Sequence, residues 1–543
     1  MNQIFILFLF YFIILFSILG YGKLVTSFST NDQDIGFEGF YGIALLIVIS
    51  YLTNFFFSHN LYHNSIIVLL GLFFFIFEIR KNYKKKLKKY NLLIYIFLII
   101  FIGILIYKNH DDFFYYHFPY TLILTNFEKI FGLGNLNHGF RTPSSIFYLN
   151  SLFYLPIIKY FLMNSGAIYI FGFANFLLIR LIKKSIKNKN FDFIFFISLF
   201  SFVYIVTAFY RIAEHGTDRS ALILIFIMAI YYLQSINLST NVNYIKIIND
   251  YFSKLLILFF LIVSLKTFYV IYFFILIIWI IEMRKFLFKE KFLKIVYKNP
   301  IIYLFAIGIF FSIFTIFSNT GCLIYPASFT CVDQFSWSIS VDKVDQMKLW
   351  YELWSKAGAN PNNRVDNPEV YVLGFNWFSH WVKNYFFTKV TDSLLIIFII
   401  SFIIFILFKS KNKKKNYSDR KYLFFYFSIL ILFFEWLYNH PALRYGGYTL
   451  ISLIFFIQAA FYLEKFELNL IVAKKKVYFL IILSFFIFFS KNLNRINNEY
   501  IKYNYNILKN PFFYINKDGF IINDEVKKYY KEHKNINKYL IIK

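Results

Sequence analysis

Residues 80–117 read RKNYKKKLKKYNLLIYIFLIIFIGILIYKNHDDFFYYH. Three chemistries follow one another in that stretch. Arg80 to Lys89 is a dense basic run. Residues 91–107 are apolar and, at about 1.5 Å rise per residue, reach most of the way across a hydrocarbon core of roughly 30 Å. Asp111-Asp112, flanked by His110 and His117, stands where that helix should leave the bilayer. Lys and Arg stay on the cytoplasmic side of short loops. The basic run therefore predicts one side of a membrane and the acidic pair the other.

The rest of the chain repeats the pattern. Apolar runs fall at 4–19, 40–57 and 61–79 before this stretch. After it they fall at 165–182, 191–209, 220–233, 255–265, 268–281, 301–317, 394–408, 422–437, 448–463 and 477–489. Residues 4–19 lack a basic n-region, so the expectation is a retained span and not a signal peptide. Hydrophobic residues make up 59% of the chain, above the half or less usual in soluble domains. Net charge is +28, which on a soluble chain would suggest nucleic acid. Here the cations sit between apolar runs, at 183–187, 284–298, 411–415 and 474–476. Membrane topology accounts for them, and no nucleic-acid partner is expected.

The expected fold class is an all-α integral membrane bundle of roughly 14 transmembrane helices (about 12 at the fewest) in a lipid bilayer. Residues 1–90 would form N-terminal spans, 91–489 the main transmembrane region, and 490–543 a polar tail on the outer side. Residues 108–164 would be an outer loop carrying two amphipathic surface helices, one started by Pro119 and one capped at Thr142-Pro143. Residues 319–391 would be a long outer loop with Trp337, Trp350, Trp354, Trp377 and Trp381 as an interfacial belt. The segment 21–38 fits least well, because parity puts it with the basic runs while it carries Asp32, Asp34 and Glu38.

Asp and Glu number 29 against 57 Lys and Arg, so carboxylates at span ends are worth weighing. A partly desolvated Asp111 or Asp112 can serve as a general base. Glu214, His215 and Asp218 lie in one short turn, which reads as a surface salt-bridge cluster or as a site for a divalent cation. Arg141, between the two short helices, and Arg444, beside His440 and Tyr445, can hold a phosphate through paired hydrogen bonds. Lys266 stands at a hairpin tip. Cys322 and Cys331 lie close together in the long loop and are expected to form a disulfide. No Walker loop, dinucleotide fingerprint, HExxH pair or GxSxG elbow occurs.

The acidic pair Asp111-Asp112, the segments after Pro119 and Thr142, the turn Gly216-Thr217-Asp218-Arg219 and the run Pro441-Ala442-Leu443-Arg444-Tyr445 together resemble the C-type (GT-C) superfamily of polytopic membrane glycosyltransferases, in a bacterial branch. The three spans before the acidic loop depart from its simplest layout. The resemblance implies transfer of a sugar from a polyprenyl-phosphate-linked donor to a lipid, glycan or protein acceptor, with inversion. The site would face the outer, periplasmic side of the cytoplasmic membrane. Asp111 or Asp112 would be the base. Arg444, with Arg141 or Lys266 and with His440 and Tyr445 nearby, would neutralise the departing lipid phosphate. No cofactor is required by this reading, although Asp112, Glu214 or Asp218 could take a divalent metal. A surface-polysaccharide polymerase or ligase is the alternative enzyme. A lipid-linked-glycan flippase or transporter is the alternative from another class, and it should place charges within spans and show internal repeats.

Overall fold

The computed structural model describes residues 3–28, 34–80, 83–105, 112–214, 216–236, 244–287, 296–360, 365–412, 422–504, 506–507, 524–528 and 531. Asp111, His110 and His215 lie outside the described residues. Among the described residues the regular elements are helices, and β-pairing is confined to two isolated bridges. The main helices are α1 Gln3–Ser27, α2 Ile35–Asn54, α3 Leu61–Arg80, α4 Tyr83–Ile100, α5 Phe118–Asn126, α6 Ser145–Ser151, α7 Gly166–Lys187, α8 Phe193–Ala208 and α9 Asp218–Ile236. They continue with α10 Tyr244–Leu265, α11 Phe273–Leu287, α12 Pro300–Thr320, α13 Val341–Lys356, α14 Thr391–Phe408, α15 Leu423–Asn439, α16 Gly447–Leu463 and α17 Leu470–Tyr503.

Nine helical segments among the described residues are long and apolar enough to cross a membrane. Shorter apolar helices run at Lys89–Leu105, Phe193–Ala208, Leu423–Asn439 and Gly447–Leu463. The chain is a multi-pass helical membrane protein. In lipid the backbone must satisfy its own hydrogen bonds, which favours helices throughout such runs.

The first three helices pack backbone to backbone. A Cβ on Gly22 would lie 1.8 Å from the Glu38 carbonyl oxygen, and one on Gly20 would lie 1.8 Å from that of Gly71. Small residues at such crossings permit the close approach that drives association in lipid, where apolar burial gives no net gain. Helix α2 also packs against α6, α7, α10 and α12, so it runs through the centre of the bundle.

This packing explains the acidic residues that fit poorly with the basic end. Within 21–38, residues 21–27 and 35–38 are helical, and Asp32 lies outside the described residues. Glu38 is buried and pairs with Lys23 of α1 at 2.9 Å. Asp34 caps α2 by accepting the Gly36 N–H and pairs with Arg180 at 2.8 Å. Each described carboxylate there meets a cation.

Two expectations are corrected. First, α5 and α6 are not amphipathic surface helices. Residues 118–125 and 145–151 are all buried, because protein covers both helices on every side. The cap of α6 is Ser144, whose hydroxyl accepts the Ile146 N–H, and not Thr142. Second, the long loop is shorter than 319–391. Helix α12 reaches Thr320, and a helical segment runs from Phe378 to Phe408. Helix α17 continues past residue 490 to Tyr503, where Asn504 takes a left-handed conformation. Cys322 and Cys331 are joined by a disulfide. Trp377 and Trp381 are buried against each other and against Phe378, so they belong to a packed core and not to an interfacial belt.

Candidate functional site

Arg444 sits in the turn between α15 and α16, and that turn is held from several sides. The Trp381 indole donates to the Pro441 carbonyl at 2.9 Å, and the Trp436 indole donates to the Ala442 carbonyl at 2.9 Å. The Leu443 N–H donates to the Tyr385 phenol oxygen at 2.9 Å. The Tyr269 hydroxyl donates to the Arg444 carbonyl at 2.6 Å. Gly446, at φ +123°, closes the turn in a region that L side chains rarely adopt. The backbone under Arg444 is therefore fixed before its side chain is considered.

The guanidinium lies between two carboxylates. Its Nε donates to Asp218 Oδ2 at 2.9 Å, and Nη2 lies 3.5 Å from Asp112 Oδ2. Asp218 is the first residue of α9. Lys266, just past the end of α10, donates through Nζ to Asp218 Oδ1. The order Asp112–Arg444–Asp218–Lys266 alternates in charge and is assembled from the ends of separate helices. Aromatic faces complete it. Arg444 lies 5.4 Å over Trp354 of α13 and 5.7 Å over Tyr445. Lys266 lies 4.7 Å over the Tyr445 ring.

The two aspartates have different surroundings. The Asp112 side chain is 30% exposed and the Asp218 side chain 9%. Asp218 binds two cations and fixes them. Asp112 is the more exposed and meets Arg444 at the longer distance of 3.5 Å.

The titrating groups around the cluster follow from burial and charge. Burial works against the Arg444 charge, yet Asp218, Tyr445, Tyr116 and Asp112 together hold its guanidinium well above the ordinary range. Burial draws the Lys266 ammonium down, with Asp218 opposing. Burial pushes the Tyr445 phenol up to about 12, with Arg444 pulling the other way. Burial and the Asp112 charge push the Tyr116 phenol up, so it stays a hydrogen-bond donor. Burial lowers His440 to about 4, so its ring, packed against Phe268 and Tyr445, is neutral.

The other candidate residues lie elsewhere. Arg141 donates to the Gly134 carbonyl and to the Tyr325 hydroxyl, each at 3.1 Å. It anchors the disulfide loop and does not join Arg444. Glu214 is fully buried and accepts from Arg211 and Arg495. The turn 214–218 thus divides between two clusters. Among the described residues no group of three His, Cys, Asp or Glu could hold a metal ion. Asp218 and Glu214 spend both oxygens on Arg and Lys.

Trp354, Tyr116 and Tyr269 also shape the site, and Arg495 shapes the neighbouring Glu214 cluster. None sits in a local pattern that marks it. Trp354 shares a face of α13 with Trp350 and Tyr351, a spacing that does not say what the face meets, and Arg495 comes from a helix 281 residues downstream of its partner Glu214.

The family described as a domain of unknown function, DUF8201, matches residues 4–451. No curated protein and no solved structure matches the chain.

Proposed function

The chain belongs to the DUF8201 family, and we propose that this member is an integral-membrane glycosyltransferase. It moves a sugar from a polyprenyl-phosphate-linked donor to a lipid, glycan or protein acceptor. It works at the outer face of a bacterial cytoplasmic membrane, with the basic runs inside and roughly 14 spans in all. The layout resembles the C-type glycosyltransferases in placing an acidic residue after an early span, beside a later Asp and a basic turn.

The observation that carries the reading is the Asp112–Arg444–Asp218–Lys266 cluster at the ends of apolar helices. The acceptor hydroxyl oxygen attacks the sugar's anomeric carbon. The bond from that carbon to the phosphate oxygen breaks, and its electron pair leaves with the lipid phosphate. Asp112 takes the hydroxyl proton, because it is the more open of the two described aspartates. Arg444 and Lys266 take up the charge growing on the phosphate. Asp218 is the positioning residue that holds both cations. Such a leaving group needs charge stabilisation and little acid assistance. Single displacement inverts the anomeric centre.

The test compares lipid-linked sugars and surface glycans in cells carrying wild type, Asp112→Asn or Arg444→Ala at matched membrane levels. The expected result is loss of one glycan with accumulation of its lipid-linked donor. If Asp112→Asn cells and cells carrying Asp111→Asn both match wild type, the transferase reading fails and polymerase, ligase or transporter readings replace it.

A further inference from the structure

A second charged cluster lies beside the first and takes no part in the transfer described above. It is built around the Tyr210 ring and Glu214. Lys491 lies 4.6 Å and Arg495 6.0 Å over that ring, both from α17. Arg211 donates to Glu214 at 2.6 Å, and Arg495 donates to its other oxygen. Arg219, one residue past Asp218, is within electrostatic reach of Arg211, Glu214 and Tyr210.

The charges do not balance. Arg211 and Arg495 pair with Glu214 and Arg219 is within electrostatic reach of it, while Lys491 lies over the Tyr210 ring and donates to the Thr207 carbonyl at 3.1 Å. Glu499, one turn beyond Arg495 on α17, is the nearest further acid along that helix, and cations remain in excess when it is counted. Asp218 is already engaged by Lys266 and Arg444. Arg219 Nη1 is buried and finds no hydrogen-bond partner among the described residues. A buried guanidinium N–H without an acceptor is costly, and an anion relieves that cost.

We propose that Arg211, Arg219, Arg495 and Lys491 form a phosphate-binding site distinct from the Arg444 cluster. Arginine forks match phosphate oxygens two at a time, and the surplus positive charge suits a group carrying one or two negative charges. The site lies where spans α8 and α9 end, the depth at which phosphate-bearing headgroups stand. Arg211 is 36% exposed on its side chain and gives an entry from solvent. The phosphate belongs either to the headgroup of an anionic membrane lipid or to a free phosphate compound. This site does not depend on the transferase reading, because binding is measured and not turnover.

The experiment uses the full chain in nanodiscs of phosphatidylcholine with or without phosphatidylglycerol. Wild type, Arg211→Gln, Arg219→Gln and, as a control at the opposite end, Arg284→Gln are compared. Lipid retained on the protein is counted by native mass spectrometry. Thermal unfolding in phosphatidylcholine discs is followed against inorganic phosphate and pyrophosphate at constant ionic strength. Retention of phosphatidylglycerol by wild type and Arg284→Gln, reduced roughly tenfold in the other two, assigns a headgroup site. Stabilisation by phosphate or pyrophosphate, weakened roughly tenfold in the same two variants, assigns a free phosphate compound. If wild type shows neither, or if Arg211→Gln binds as wild type does, the proposal is overturned. Arg211 is partly exposed, so its variant keeps the test decisive should Arg219→Gln fail to fold.

Discussion

Arg444 Nε lies 2.9 Å from Asp218 Oδ2, although 226 residues separate the two in sequence. The bond closes the gap between the α15–α16 turn and the start of α9. It also sets the direction in which the remaining guanidinium nitrogens point, toward Asp112.

Removing one member of this pair leaves the other charged and short of a partner, although the Arg444 side chain is 34% exposed against 9% for Asp218. Asp218→Asn and Arg444→Gln are therefore each expected to cost about 1–3 kcal/mol. The double variant should lose less than the sum. A double-mutant cycle from chemical unfolding in detergent measures this. A coupling near zero would mean that the pair is not formed in the folded protein.

Asp112 predicts a different separation of effects. Its side chain is the more exposed, so Asp112→Asn should shift stability by less than about 1 kcal/mol while abolishing glycan transfer. Asp218→Asn should lower both. Unfolding temperature and lipid-linked donor level, measured on the same membrane preparations, report the two quantities.

Tyr385 supports the turn through one hydrogen bond. Tyr385→Phe leaves the buried Leu443 N–H without its acceptor. The expected loss is about 1–3 kcal/mol. Hydrogen exchange at Leu443 should rise in step with it, and unchanged exchange would show that the phenol is dispensable.

Lys129 gives a pH dependence. Its ammonium is buried, donates to the Tyr148 hydroxyl at 3.1 Å, and is pushed by burial down to about 7 from an ordinary 10.5. Between those values the unfolded chain holds a proton that the folded chain has released. Stability therefore rises with pH across that window, by about 1.4 kcal/mol per unit at its steepest, and the cost of the buried charge is complete below pH 7. Lys129→Met removes the dependence. Unfolding at pH 6 and pH 9 should show the variant's gain over wild type larger at pH 6 than at pH 9.

Much of the helical layout was legible from apolar length and from the spacing of Lys and Arg runs. Lys266 was readable at a hairpin tip because α10 and the helix after it are separated by so few residues. Asp112, Asp218 and Arg444 stood out singly because charges are scarce at span ends. Their meeting was not legible, since no periodicity links residues 226 apart. Arg141 was grouped with Arg444 on residue type alone, and the structure gives it to Tyr325. The helices at 118–126 and 145–151 read as surface elements because polar residues interrupt them. Those residues are satisfied inside instead: Asn150 Oδ1 accepts from the Gly166 N–H and the Tyr120 and Tyr148 hydroxyls bond each other. Arg495 was assigned to a tail because hydrophobicity fades after residue 489, while the helix itself continues to Tyr503.

The glycine contacts among α1, α2 and α3 bear on how the protein is made. Helix α2 emerges from the ribosome long before α7, α10 and α12, the helices that will surround it. It carries Glu38, whose charge would be costly in lipid on its own. Lys23 has already been synthesised and lies on the helix that α2 meets at Gly22, so the charge is neutralised at once. Helix α3 then closes against Gly20. By the time residue 80 has left the translocon, the first three helices form a unit that can wait in the bilayer for the rest of the chain.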